Sequence, residues 1–134
     1  MRFTPLLVIA SALAACSTTT EPTTRSAEAQ AQLDKLLVGK VAGNPVSCLS
    51  QARPSASTVS IDDNTIAFRQ GSKVYINHPS GGCTNLNGPY ALVTRTPSTR
   101  LCRGDIAEVR DMVSGFTVGS CVLGDFLPYA KPHG

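Results

Sequence analysis

IDDNTIAFRQGSKVYINH, residues Ile61 to His78, is the stretch whose reading decides the fold. Ile66 and Phe68 alternate with small or polar neighbours, and Val74 and Ile76 do so again beyond QGSK. A period of two is the mark of a strand with one buried face, and a short Gly-containing break between two such runs marks a hairpin. On this reading Ile66, Phe68, Val74 and Ile76 share one face, and Arg69 and Tyr75 lie on the other.

The same texture extends in both directions. Upstream, GNPV (Gly43–Val46) turns into a strand carrying Cys48. Downstream, PSGGCTNLNGPY is a polar connection from Pro79 to Pro89, pinned by Cys83, and YALVTRT follows as a strand. LCRGDIAEVRD and GFTVGSCVLGDF pair as a hairpin about DMVSG, and the Pro-containing tail LPYAKPHG reads as irregular. Gly, Pro, Asn, Asp and Ser clusters punctuate these runs throughout, as they do between short strands. Five to seven strands result.

One segment has the other period. Between Ser26 and Val38, Ala29, Leu33, Leu36 and Leu37 form a single apolar stripe at helical spacing. Ser26 can cap the helix, Glu28 suits its positive end, and Gly39 stops it with Lys35 and Lys40 nearby. The stripe predicts docking on the domain; packing against another chain is the alternative. The expected class is mainly β (α+β): a small antiparallel barrel or sandwich with one N-terminal helix.

The N-terminus has a different character. Arg2 precedes an apolar run from Pro5 to Ala15 that only Ser11 interrupts. That is about half the ~20 residues a membrane-spanning helix needs, and it fits a signal-peptide core. Leu13-Ala14-Ala15-Cys16 resembles the bacterial lipobox. The resemblance implies cleavage before Cys16, diacylglycerol on its thiol and a fatty acyl chain such as palmitate on the new amine. Ser17 suggests export to the outer membrane of a Gram-negative cell, facing the periplasm. Each buried methylene contributes roughly 0.8 kcal/mol, so two or three chains hold a domain durably where one would not. The expected organisation is a signal peptide over 1–15, a lipidated tether over 16–25, the helix over 26–40 and a disulfide-stapled β domain over 41–134.

Charge and cysteine count narrow the function. The net charge of +3 falls to +2 when Arg2 leaves with the signal, too little for a partner bound through nucleic-acid phosphates. With Cys16 acylated, Cys48, Cys83, Cys102 and Cys121 remain, an even number that reads as two disulfides in an exported chain. Their spacing lacks the paired knuckles of a zinc site. Three connectivities exist; Cys48–Cys83 with Cys102–Cys121 is the expected one, because the hairpin about DMVSG would bring Cys102 and Cys121 to its open end.

Catalytic constellations are sparse. His78 with Asp62 or Asp63 is the one imaginable acid–base set, without a nucleophile elbow beside it. Asp62-Asp63-Asn64 could offer oxygens to calcium, but without the spacing of an EF-hand it reads as a turn. Arg95, Arg100 and Arg103, with Arg110 further on, form the densest basic group and a possible contact for anionic lipid or glycan. No cofactor is expected.

The segments SCLS, IDDNTIAFR, KVYINH, GGCTNL, LCRGDIAEVRD and GSCVLGDFLPY together resemble a family of small uncharacterised exported proteins of proteobacteria. The likeness runs from about Val46 to Pro128. It implies a domain of that extent with its four cysteines paired, and no activity, substrate or cofactor. The expectation is therefore a cell-envelope lipoprotein acting as a non-enzymatic accessory or binding module, with an envelope protein or glycan as partner and the membrane reached through Cys16. The alternatives are a periplasmic hydrolase using His78, and an anchored inhibitor of lysozyme-type enzymes, which GSKVY faintly echoes.

Overall fold

The computed structural model describes residues 25–51 and 57–133; the expected signal peptide, the acylated Cys16 and most of the tether lie outside the described residues. The described residues are mostly β, with one helix and antiparallel sheets. Ten strands follow helix α1 (Ala27–Leu37): β1 (Val41–Ala42), β2 (Cys48–Ser50), β3 (Ser57–Asp62), β4 (Thr65–Gln70), β5 (Lys73–Asn77), β6 (Ala91–Arg95), β7 (Arg100–Cys102), β8 (Ile106–Arg110), β9 (Thr117–Val122) and β10 (Phe126–Ala130). They form a five-stranded sheet in the order β1-β10-β5-β4-β3, a two-stranded ribbon β2-β7 and a three-stranded sheet β6-β8-β9. None of the three closes on itself, which removes the barrel from the expectation.

The helix forms as its sequence dictates. The Ser26 hydroxyl accepts from the Ala29 amide at 3.2 Å, and Lys40 donates to the Leu36 carbonyl at 3.2 Å beyond the last turn. Gly39 takes the left-handed φ of +69° that ends it. Ala29 and Leu33 are buried against Ile61, Ala67, Val74 and Ile76, with Leu36, Leu37, Val59 and Tyr129 packed around them. The stripe thus docks on its own domain.

The hairpin at Ile61–His78 exists, but its faces differ from the expected ones. Ile66 stands opposite Asn77, Ala67 opposite Ile76, Phe68 opposite Tyr75 and Arg69 opposite Val74. The tight turn at Gly71-Ser72, with Gly71 at φ +62°, fixes that register. Val74 and Ile76 therefore face the helix together with Ala67. Ile66 and Phe68 face the other way, into a cluster with Leu49, Leu101, Val109, Cys121, Leu123 and Phe126. Both faces of the large sheet are covered, so alternation there does not separate core from solvent. Phe68 and Phe126 meet edge to face at 5.4 Å between ring centres.

Other expectations need revision. The described residues hold ten strands, because the break at Arg103–Asp105 cuts one expected run in two and β1, β3 and β10 form where no strand was expected. β3, with Val59 and Ile61 towards the helix, went unread. The tail expected to be irregular contains β10, an inner strand between β1 and β5. Pro128 is tolerated there for a local reason. Its carbonyl accepts from the Gly43 amide at 2.7 Å. A strand residue points its N and O to one side, so the missing N–H also faces β1, where pairing stops.

The disulfides join Cys48 to Cys102 and Cys83 to Cys121. The expected Cys48–Cys83 and Cys102–Cys121 pairing is incorrect. The hairpin about Asp111–Gly115 is present as β8-β9, but Cys121 there stands opposite Ala107. Cys102 belongs to β7, split from β8 by a tight turn in which Asp105 Oδ2 accepts from the Cys102 amide at 2.8 Å and Gly104 takes φ +90°. That turn sends Cys102 to the ribbon, opposite Cys48.

Candidate functional site

Most residues of the two sites suggested by the sequence are engaged in bonds within the domain. Arg95 lies 3.4 Å and Arg110 2.7 Å from Glu108, and Arg103 lies 3.3 Å from Asp125. Arg100 sits at the start of β7 and has no ion pair among the described residues. Two carboxylates, Glu108 and Asp125, thus offset half the charge of these four arginines.

His78, Asp62 and Asp63 carry structural bonds. His78 Nδ1 is 3.0 Å from the Asn64 carbonyl oxygen. Asp63 Oδ1 accepts from the Asn87 amide at 2.8 Å, and its carbonyl accepts from the Cys83 amide at 2.6 Å. Asp62 accepts from Arg25 Nε at 2.6 Å, and Arg25 Nη2 donates to the Thr65 hydroxyl at 2.7 Å. Burial pushes Asp62 upward, but hydrogen bonds from Arg25, the Asn64 amide and Thr65, with the charge of Arg25, outweigh it and hold its pKa below the ordinary value. The Asp-Asp-Asn run is a turn that uses its side chains to organise the 83–88 connection. Among the described residues no group of three His, Cys, Asp or Glu is placed to hold a metal.

A different constellation does assemble. At the C-terminal end of α1, a cleft of about 570 Å³ opens on the helix-bearing face of the large sheet. Lys35 on α1, Lys40 beyond it, Arg69 on β4 and Lys131 after β10 line it, over a floor of Leu36, Val59 and Val74. Gln32, Gly71 and Ser72 complete the wall, and among the described residues no carboxylate lines it. Lys73 borders the adjoining surface together with Lys131. None of Lys35, Lys40, Arg69, Lys73 and Lys131 has an ion-pair partner among the described residues, whereas four of the five other basic residues do.

The fold creates this separation. β4 runs from Thr65, which bonds Arg25, to Arg69 beside the cleft. Paired charges gather at other places, and unpaired positive charge collects at the turn between β4 and β5. A low-dielectric floor beneath like charges focuses their field on the opening, which raises the local concentration of anions. Lys35 and Lys40 share the end of the helix in the sequence, but nothing there joins them to Arg69 and Lys131 before the fold does.

No protein-family model, no curated protein and no solved structure matches this chain. Among the described residues no helix is long and apolar enough to cross a membrane.

Proposed function

We propose that the protein is a lipid-anchored binding module of a Gram-negative cell envelope, with a sandwich-like α+β domain that takes an anionic ligand in the cleft beneath α1. Cys16 carries the acyl chains that hold it at the outer membrane, and the domain acts without catalysis in the periplasm. The carrying observation is the cluster of four unpaired cations, Lys35, Lys40, Arg69 and Lys131, around an apolar floor. Two disulfides support residence in an oxidising compartment. The cleft lies within the size range of small-molecule sites, about 300–1,000 Å³.

Two measurements on the full chain test this. A fatty-acid probe fed to cells should label the natural chain and leave Cys16→Ser unlabelled; equal signal from both removes the anchor. Calorimetric titration with inorganic pyrophosphate at low salt should show binding that weakens with ionic strength. Replacing Lys35 and Arg69 by Gln should weaken it roughly twofold to thirtyfold, two exposed contacts at about 0.2–1 kcal/mol each. Arg95→Gln should leave it unchanged. Absence of binding, or equal loss in all variants, refutes the cleft.

A further inference from the structure

The β8–β9 hairpin ends in a tip of unusual composition. Met112, Val113 and Phe116 are 70%, 98% and 73% exposed, within five residues of one another. Scattered exposed apolar residues are ordinary, but three large ones on one projecting turn are a patch.

The turn is built from within. Asp111 Oδ1 accepts from the Val113 amide at 2.8 Å and the Ser114 amide at 3.4 Å. The Gly115 amide donates to the Asp111 carbonyl at 2.8 Å, and the Asp111 amide donates to the Phe116 carbonyl at 2.9 Å. The Phe116 amide donates to the Ser114 hydroxyl at 3.3 Å. Gly115, at φ +77°, closes the bend. Of the amides from Asp111 to Phe116, only that of Met112 has no bond within this network.

We propose that this tip dips into a lipid surface, with Met112, Val113 and Phe116 below the headgroups and Asp111 at their level. Backbone donors entering an apolar phase need partners inside the protein, and five of the six amides here have one. A protein partner is the weaker fit. A stable interface buries about 800 Å² on each side, which three side chains do not offer, whereas insertion into a bilayer has no such minimum. The charges set the depth. Asp111 is turned towards the Val113 and Ser114 amides; the Val113 bond, foremost, holds its pKa below the ordinary value. It stays ionised and limits entry. Arg95 and Arg110 face Glu108 on the strands beneath, and positions 111–116 contain no Lys or Arg. A neutral or zwitterionic surface therefore suits the tip.

The position of the tip agrees with the tether. Asn85 Nδ2 donates to the Val118 carbonyl at 2.7 Å, next to the start of β9. The same connection is bonded to Asp63, beside the Asp62 that holds Arg25, the last residue of the tether and the first described one. Chain entry and hairpin thus belong to one bonded network, while the cleft sits at the far end of β4. The inference rests on the membrane residence proposed above, and its test separates the two.

The chain contains no Trp, so Phe116→Trp supplies a single indole, whose emission is excited selectively at wavelengths the three tyrosines do not absorb. The full acylated chain carrying it would be reconstituted into phosphatidylethanolamine–phosphatidylcholine vesicles, with and without lipid brominated on the upper acyl carbons. Expected are a blue-shifted emission and quenching by the brominated lipid. Trp placed at Val38, exposed beside the cleft, should stay unquenched, and adding Val113→Asp to Phe116→Trp should abolish quenching while the circular dichroism is unchanged. Water-like emission from Phe116→Trp, or equal quenching at both positions, overturns the proposal. A blue shift that brominated lipid does not quench overturns it too, because protein then covers the tip. Mass spectrometry of the same samples reports Cys16. Quenching without acylation keeps the tip and removes the anchor; acylation with water-like emission does the reverse.

Discussion

Replacing Cys83 and Cys121 together by Ala should cost the domain about 5 kcal/mol. The Cys83–Cys121 bridge spans 38 residues and the Cys48–Cys102 bridge 54. Cross-linking loops of those lengths removes chain entropy from the unfolded state corresponding to about 3.9 and 4.2 kcal/mol at 25 °C. Burial separates the two. Cys83 is fully buried and Cys121 nearly so, within the cluster that contains Leu86 and Phe126, while Cys48 and Cys102 are half-buried. Truncating the inner pair therefore also leaves a gap in the core, adding about 1 kcal/mol. A domain of this size unfolds with about 5–15 kcal/mol, so losing one bridge takes a large share and losing both leaves little. At about 4 °C per kcal/mol, the inner double variant should melt roughly 15–20 °C lower. Circular dichroism melts without reductant would measure it, alongside non-reducing peptide maps. Under mild reductant the half-buried Cys48–Cys102 bridge should open first. A fall in Tm of less than about 4 °C, or a map joining Cys48 to Cys83, would refute the reasoning.

Two further outcomes follow from buried polar groups. Asn77 is fully buried in β5; its amide nitrogen donates to the Gly124 carbonyl at 2.7 Å and the Asp125 carbonyl at 3.3 Å, and its oxygen accepts from the Gly124 amide at 3.0 Å. Asn77→Ala should cost about 3 kcal/mol, near 1 per bond, and chemical denaturation should show it; a loss below 1 kcal/mol would mean water replaces the amide. Asp62 has a pKa below its unfolded value, so its contribution is present above the unfolded value and fades as pH falls through the folded one. Acid titration of stability should thus steepen below about pH 4, and Arg25→Gln should flatten that limb; identical limbs would show that Arg25 does not set it.

The sequence disclosed what is local and concealed what is not. The helix was legible because cap, stripe and stop lie within fourteen residues, Ser26 to Gly39, and the β8-β9 hairpin because DMVSG separates two alternating runs. The faces of β4 and β5 were not, because alternation identifies a buried face only when the other is wet, and here a helix covers one side and the smaller sheets the other. β10 was obscured by Pro128, whose cost disappears only because β1 stops beside it. The disulfide error has the same root. One tight turn at Arg103–Asp105 moves Cys102 from the strand beside β9 to the ribbon with β2, and the hydrogen bond that makes it, Asp105 to the Cys102 amide, was available in LCRGD. The cleft was the least visible feature, since its cations come from three separate places in the chain: the end of α1, β4 and the segment after β10. Yet the charges that pair were as scattered as those that do not: Arg25 meets Asp62 and Arg103 meets Asp125 across comparable gaps. What distinguishes Lys35, Lys40, Arg69 and Lys131 is that the fold brings them to one opening without a carboxylate. Surface pairs contribute little to stability, so carboxylates at this opening would cost the fold almost nothing. Their omission leaves a focused positive field whose physical consequence is attraction of an anion, and the salt dependence of pyrophosphate binding measures that consequence directly.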